Sequence, residues 1–271
     1  MARRMRLSAH HWQTNGGLAI EQYLASGAVA LLDAAWLCAE AASGSEQPLR
    51  HRQEMPADAF VSLEDIKAAS GSAPFLPIIV VSSPWLHPCH PDPLGQQLQV
   101  LASALRQFIA HGVDRWGVCW SFCSIMQADA NGKFDCSADE TLHQEGLLGL
   151  GALLAHRAVT VFMLTAAPDG YPLRYNLPKS FPGWSKYQAR GWSWAESAIA
   201  SLTKRSELVL VSKQGLKPWT SHVLYSSPPC LPHPSVLNSP TFDPLCGKDL
   251  GKLTDSKLNC LAGRHGLLQE W

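Results

Sequence analysis

With 271 residues, 46% of them hydrophobic, the chain can bury a full core as one domain of about 150 to 200 residues with extensions. Lys and Arg number 22 and Asp and Glu 22, so the formal net charge is zero; with no general field to attract it, nucleic acid is not an expected partner, and neither is anionic lipid. Charged residues are only 16%, against about 25% in an average soluble protein, while Trp reaches 10, a composition that predicts aromatic surface patches in need of a partner.

The opening Met-Ala-Arg3-Arg4-Met-Arg6 is basic and has no acid before Glu21, the character of a weak organelle-targeting segment. No apolar stretch of about 7 to 15 residues follows it, which disfavours a secretory signal. Residues 17–43 are rich in Ala and Leu at helical spacing (Leu24, Val29, Leu31, Leu32, Trp36) and predict one or two amphipathic helices. Glu21, Gln22, Asp33 and Glu40 interrupt the run, so it does not read as a membrane span. After a polar connection, Ser62 with Asp65 three residues on predicts a capped helix over 62–69, ended by Ser70-Gly-Ser-Ala-Pro74.

From residue 75 the pattern changes. Phe75-Leu-Pro-Ile-Ile-Val-Val81 is a continuous apolar run bounded by turn residues, as in a strand covered on both faces. Helical periodicity over 94–111, a strand over 115–122, a helix over 142–156, a strand over 158–164, a helix over 191–203 and a strand over 207–211 follow in order. Strands alternating with helices, over connections long enough for right-handed crossovers, predict an α/β fold with a mainly parallel sheet covered on both faces and preceded by N-terminal helices. Ligands then bind outside the carboxyl ends of the strands, which here are the loops 82–93, 123–132 and 165–190. The expected division is a helical extension over 1–70, an α/β domain over 71–214 and a Pro-rich, extended or poorly ordered tail over 215–271.

The eight cysteines are scattered, without the dense spacing of a small secreted scaffold, and read as reduced thiols in the cytosol. Cys119 and Cys123, four apart on the expected strand, would lie about 13 Å apart, too far to grip one ion. His87-Pro-Cys89-His90 has metal-ligand chemistry but no matching second pair, and its prolines fit a rigid loop that positions Trp85 and Asp92. Gly146-Leu-Leu-Gly149-Leu-Gly151 lies inside a helical run and signals close packing, not a dinucleotide fingerprint. There is no Gly-x-Ser-x-Gly elbow and no Walker-type loop, so serine-hydrolase and P-loop chemistry lack their main support.

The densest candidate site is Tyr187-Gln-Ala-Arg190-Gly-Trp192-Ser-Trp194-Ala-Glu196, where a carboxylate follows a tryptophan by one helical turn. Trp192 and Glu196 then share a helix face, and a flat aromatic surface with one anion suits the cleavage of a glycosidic bond. Plainer roles stand beside this one. Trp192 and Trp194 would pack on the sheet, Glu196 would favour the helix dipole or pair with Arg190, and Arg190 would either hold a phosphate or cap a loop carbonyl.

The α/β layout, the loop Val81-Ser-Ser-Pro-Trp85-Leu-His87-Pro-Cys-His90-Pro-Asp92-Pro and the later Tyr-x-x-Arg-Gly-Trp-x-x-x-Glu together resemble the Toll/interleukin-1 receptor (TIR) superfamily, above all divergent TIR-like proteins of protists and algae. The likeness spans about residues 75–212 and implies a flavodoxin-like sheet. It places on Glu196 the role of cleaving the bond between nicotinamide and ribose in NAD, as a substrate and with no cofactor. It assigns Ser82, Trp85, Asp92, Trp120, Tyr187, Arg190 and Trp192 to the pocket, with Trp85, Trp120 or Trp192 stacking on a ring of the nucleotide. It also implies cytoplasmic signalling through self-association or through other TIR-like domains. Ser83 stands where relatives often have His, Ser193 where they often have Cys, and Ser124-Ile-Met-Gln127 where they often have Ser-Leu-Pro-Gln; these departures fit the competing reading, a non-catalytic interaction module.

Overall fold

A computed structural model describes residues 9–43, 48–71, 75–87, 90–109, 115–129, 131–175, 177, 187, 191–204, 208–212, 215–218, 242–243 and 248–249. The β-branched run read as the first covered strand is β3 (Ile78–Ser82), all five residues of which are buried. It lies between β4 (Gly117–Trp120) and β5 (Thr160–Leu164), parallel to both, and β5 pairs in parallel with β6 (Leu208–Ser212). Alternation along these strands sorts their side chains into two cores. Ile78, Val80, Cys119, Val161 and Met163 face one side, and Ile79, Val81, Val118, Phe162 and Leu164 the other.

Helices cover both sides. On the first lie α1 (Ala9–Thr14), α2 (Gly17–Ala25), α7 (Ser137–Ala155) and α8 (Gly191–Thr203), which bring Trp12, Ile20, Leu150, Leu153, Leu154 and Ala200 to the core. On the second lie α3 (Ala34–Ala42) and α5 (Gln96–Ile109), with Leu37, Ala41, Leu98, Leu101 and Leu105. The architecture is therefore α/β, with a mixed sheet whose central strands are parallel.

Two expectations about the ends of the chain need correction. The segment read as a purely helical extension supplies β1 (Leu31–Asp33), antiparallel to β4, and β2 (Phe60–Val61), antiparallel to β1. Both are too short for alternation to register, and β1 sits between two Ala-rich helical runs that hide it. At the other end, β7 (Gly215–Pro218) pairs antiparallel with β6, so residues 215–218 belong to the sheet and not to the tail; Pro218 is tolerated there because β7 is an edge strand. The complete order is β2-β1-β4-β3-β5-β6-β7. Beyond residue 218 the expected tail lies outside the described residues, except for a short pair of strands, β8 (Phe242–Asp243) and β9 (Lys248–Asp249).

Local chemistry sets the remaining boundaries. The capped helix is α4 (Leu63–Ser70), where the Asp65 N–H donates to Ser62 Oγ at 3.0 Å. Strand β4 stops at Trp120 because its N–H donates to Ser124 Oγ at 2.9 Å, turning the chain into the short helix α6 (Ser121–Ser124). Cys119 is thus on a strand and Cys123 on a helical turn, not both on a strand. Helix α7 begins five residues before its apolar periodicity does, with Asp139 and Glu140 in a first turn that favours acids. Arg52 ties the turn before β1 to α6, its guanidinium donating to the carbonyls of Gly27, Ala28 and Ser124 at 2.6, 3.1 and 3.3 Å.

The glycines of α7 divide as close packing requires. A Cβ on Gly146 would meet Ile125 at 2.6 Å and the Ala28 carbonyl oxygen at 2.7 Å, and one on Gly149 would meet Val29 at 2.7 Å, whereas one on Gly151 would meet nothing within 4 Å. Gly151→Ala is therefore expected to raise the denaturant midpoint, through helix propensity and lower unfolded-state entropy, by up to about 1 kcal/mol. An unchanged or lower midpoint would count against this assignment of free space.

Candidate functional site

The chain runs from β3 outward to β4 through α5 on one face, then crosses back past β3 to β5 through α7 on the other. Direction therefore reverses between β3 and β5, and at such a point the helices leave the strand ends on opposite faces and open a crevice. Ser82 closes β3 there. It has the parity of Ile78 and Val80, which turns its hydroxyl towards the α7 and α8 side.

On that side Ser82 meets Glu196 and Tyr187. Ser82 Oγ donates to Glu196 Oε2 and lies 2.5 Å from the Tyr187 hydroxyl. A serine hydroxyl has one proton, so with that proton given to the carboxylate the tyrosine must be the donor to Ser82. The result is a directed chain from Tyr187 through Ser82 to Glu196. The side chain of Trp192, one turn earlier on α8, also hydrogen-bonds the Glu196 carboxylate.

Glu196 is only 4% exposed. Burial pushes its carboxyl up to about 7, and the hydrogen bonds from Ser82 and Trp192 only partly offset this. Burial, and then the neighbouring Glu196 charge, push the Tyr187 hydroxyl above its ordinary range, so it remains a donor. A carboxyl titrating near neutrality exchanges a proton readily, and in its ionised form it stabilises positive charge in a medium of low polarity.

The other predicted residues are placed differently. Trp192 is 38% exposed and forms the rim above Glu196. Trp85 is half-buried on the opposite core, edge-on to Phe122 with ring centres 5.6 Å apart. Trp120 belongs to that core too and is 1% exposed, its indole N–H donating to Ser83 Oγ at 3.0 Å. With both faces packed it is a structural residue and not a stacking platform. Asp92 is fully buried, and one of its oxygens accepts the Leu98 N–H at 2.9 Å in the first turn of α5. It caps that helix and does not join Glu196 in a cleft; burial pushes its carboxyl up to about 6. Arg190 lies outside the described residues.

Among the described residues, neither His90 nor the buried thiols Cys119 and Cys123 make a second reactive centre. His90 uses both ring nitrogens, one accepting the Asp92 N–H at 3.1 Å and one 2.8 Å from the Leu49 carbonyl. Among the described residues no group of three or more His, Cys, Asp or Glu is placed to hold a metal ion. Burial pushes the Cys119 thiol up to about 12 and Cys123 well above its ordinary value, so neither supplies a thiolate near neutral pH.

Sequence reasoning missed the inward polar stripe of α8, where Ser193 and Ser197 are buried with Glu196. Four of the apolar residues of this helix, at 192, 195, 199 and 202, recur at helical spacing, and periodicity alone would assign those to the core. Fold and site together define an α/β protein with a buried Glu–Ser–Tyr cluster at the carboxyl end of its first parallel strand. Comparison with protein-family models, with curated proteins and with solved structures gives no match.

Proposed function

We propose that this chain is a TIR-like nucleotide-binding domain that hydrolyses NAD to nicotinamide and ADP-ribose, with Glu196 as the catalytic carboxylate. The observation that carries the reading is the placement of Glu196, held by Ser82 and Trp192 at the reversal point of a parallel sheet. The parallel strands, numbered among themselves, run 2-1-3-4, which supports the flavodoxin-like order that the resemblance implies.

The chemistry needs one anion. The bond between ribose C1′ and the nicotinamide nitrogen breaks with its electron pair going to the pyridinium ring, so the leaving group is neutral and needs no proton. Positive charge develops on the ribose, and ionised Glu196 stabilises it. Water then adds to C1′ and releases its proton. Trp192 supplies the flat surface beside the reacting centre and moves aside to admit the ribose. The free cysteines among the described residues, Cys38, Cys119, Cys123 and Cys136, support a reducing, cytoplasmic setting.

The second reading is a non-catalytic interaction module built on the same fold. The burial of Glu196, with partners already in place, favours it, since a carboxylate so enclosed also fits a purely structural network. Nicotinamide release from NAD by concentrated protein separates the two. Release by the parent that is lost in folded Glu196→Ala and Glu196→Gln is the expected result. No release by the parent, or equal release by all three, moves the function to the interaction module.

A further inference from the structure

On the face of the sheet opposite Glu196, a cleft with about 360 Å³ of empty space out to its open mouth lies between α3, the segment 48–55 and α5. The buried Leu49 and Leu98 and the half-buried Trp36 and Met55 give it an apolar lining. Its charged residues are Glu40 and Arg50, with side chains 27% and 40% exposed. Trp36 and Glu40 stand one turn apart on α3, as Trp192 and Glu196 do on α8, so here too an aromatic ring and a carboxylate share a helix face. In this case the carboxylate is open to solvent and has a cation beside it.

The backbone that carries Arg50 is pinned. The Leu49 N–H donates to the Asp92 carbonyl at 3.2 Å, the Leu49 carbonyl lies 2.8 Å from His90 Nε2, and the Cys123 thiol donates to the Arg50 carbonyl at 3.2 Å. The guanidinium thus projects from a fixed point, the preorganisation that a binding group needs. Its own engagement is slight. Arg50 Nη2 donates to Glu40 Oε1 at 3.4 Å, against about 2.7 to 2.9 Å for a close charge-assisted hydrogen bond. A half-exposed pair of this kind contributes little to folding and opens at small cost. One long contact also leaves most of the hydrogen-bonding capacity of both groups unspent.

Adjacent opposite charges on an apolar cleft complement a zwitterion with a hydrocarbon arm. We infer that this cleft binds a free α-amino acid with an apolar side chain. Its carboxylate takes the planar fork of Arg50, its ammonium takes Glu40 Oε2, and its side chain covers Leu49, Leu98, Trp36 and Met55. The space is at the small end of ligand pockets, which suits an amino acid and is too little for a dinucleotide. The interior of a peptide suits it less, because no ammonium and carboxylate stand side by side there. The site shares no residue with the Ser82, Tyr187 and Glu196 cluster, so the inference holds whether or not NAD is cleaved.

Calorimetric titration of the full chain with L-leucine tests it. Binding between micromolar and millimolar is expected. Leucinamide lacks the carboxylate, isocaproate the ammonium and glycine the apolar arm; the first two should each bind about tenfold more weakly or worse, the cost of a lost hydrogen bond to a charged group, and glycine should give no heat. Arg50→Gln should no longer distinguish leucine from leucinamide, and Glu40→Gln should no longer distinguish leucine from isocaproate. Both variants are expected to keep the parent's thermal midpoint, since neither head group is enclosed. No heat from leucine up to its solubility limit, equal affinity for leucine and its analogues, or unchanged discrimination in the two variants overturns the inference. So does binding of N-acetyl-leucinamide as tight as that of leucine, which would make the cleft a peptide groove.

Discussion

Glu196→Gln is expected to be more stable than the parent at alkaline pH, and to lose that advantage as pH falls through about 7 towards 4.5. The folded-state value lies above the ordinary one of 4.5, so between these limits the folded chain binds a proton that the unfolded chain releases. The contribution of Glu196 to stability is therefore fully present below 4.5 and is lost as pH rises through about 7. A displacement of this size corresponds to about 3 kcal/mol above the window, of the order of a third of a typical domain's stability. Glutamine keeps the acceptor oxygen for Ser82 and cannot ionise, so it removes the cost.

Denaturant midpoints of parent and variant, measured across the window, check this. Asp92 is raised in the same sense, to about 6, but is present in both proteins and cancels in the difference. Parallel curves at all pH values would show that Glu196 is solvated and titrates at its ordinary value in the folded chain. The same substitution is expected to abolish nicotinamide release, so stability gained with activity lost would mark a site maintained against its own folding cost. If hydrolysis uses ionised Glu196, its rate should also rise with pH through about 7.

Gly146→Val is expected to lower stability by about 3 kcal/mol, and Gly146→Ala by about 2 kcal/mol. The added Cβ falls 2.7 Å from the Ala28 carbonyl oxygen, a backbone atom that cannot rotate away, and 2.6 Å from a methyl of the fully enclosed Ile125. Relief requires α7 to move off the segment before β1. That segment is also held by Arg52, whose guanidinium donates to the Ala28 carbonyl. Because α7 packs on α8, the shift should reach Glu196, and the pH dependence of Gly146→Ala should flatten as water gains access. An undiminished denaturant midpoint in Gly146→Val would mean that α7 is not packed this closely on Ala28 and Ile125.

Much of this architecture was legible before any coordinates. The short β-branched run at 78–81, bounded by turn residues, fits a strand buried on both faces, and the alternation of such runs with amphipathic helices points to a mainly parallel α/β sheet. The close packing at Gly146 and Gly149 was legible for a similar reason, since glycines inside a helical run have little local justification. The pairing of Trp192 with Glu196 followed from helical geometry alone, one turn apart on one helix.

Less legible was everything set by contacts distant in the chain. The resemblance of its loop assigns Asp92 to the pocket, yet the free N–H groups at the start of α5 claim its carboxyl. Trp120 looked like a stacking surface, yet strand alternation turns it into the α5 side of the core. Strands β1 and β2 had no signature of their own, because pairing with β4 and with each other is what extends them.

The sequence by itself determined the alternation of strands and helices, the closely packed glycines and the single carboxylate one turn after a tryptophan. These depend on local periodicity and on interactions within a few residues. Only the tertiary structure decided that Ser82 and Tyr187 would meet Glu196, that α8 would bury its polar stripe and expose its apolar one, and that the chain before residue 71 would join the sheet. Each of those outcomes depends on which distant surfaces remain free once the central strands have paired, and periodicity along one segment carries no information about what lies opposite it.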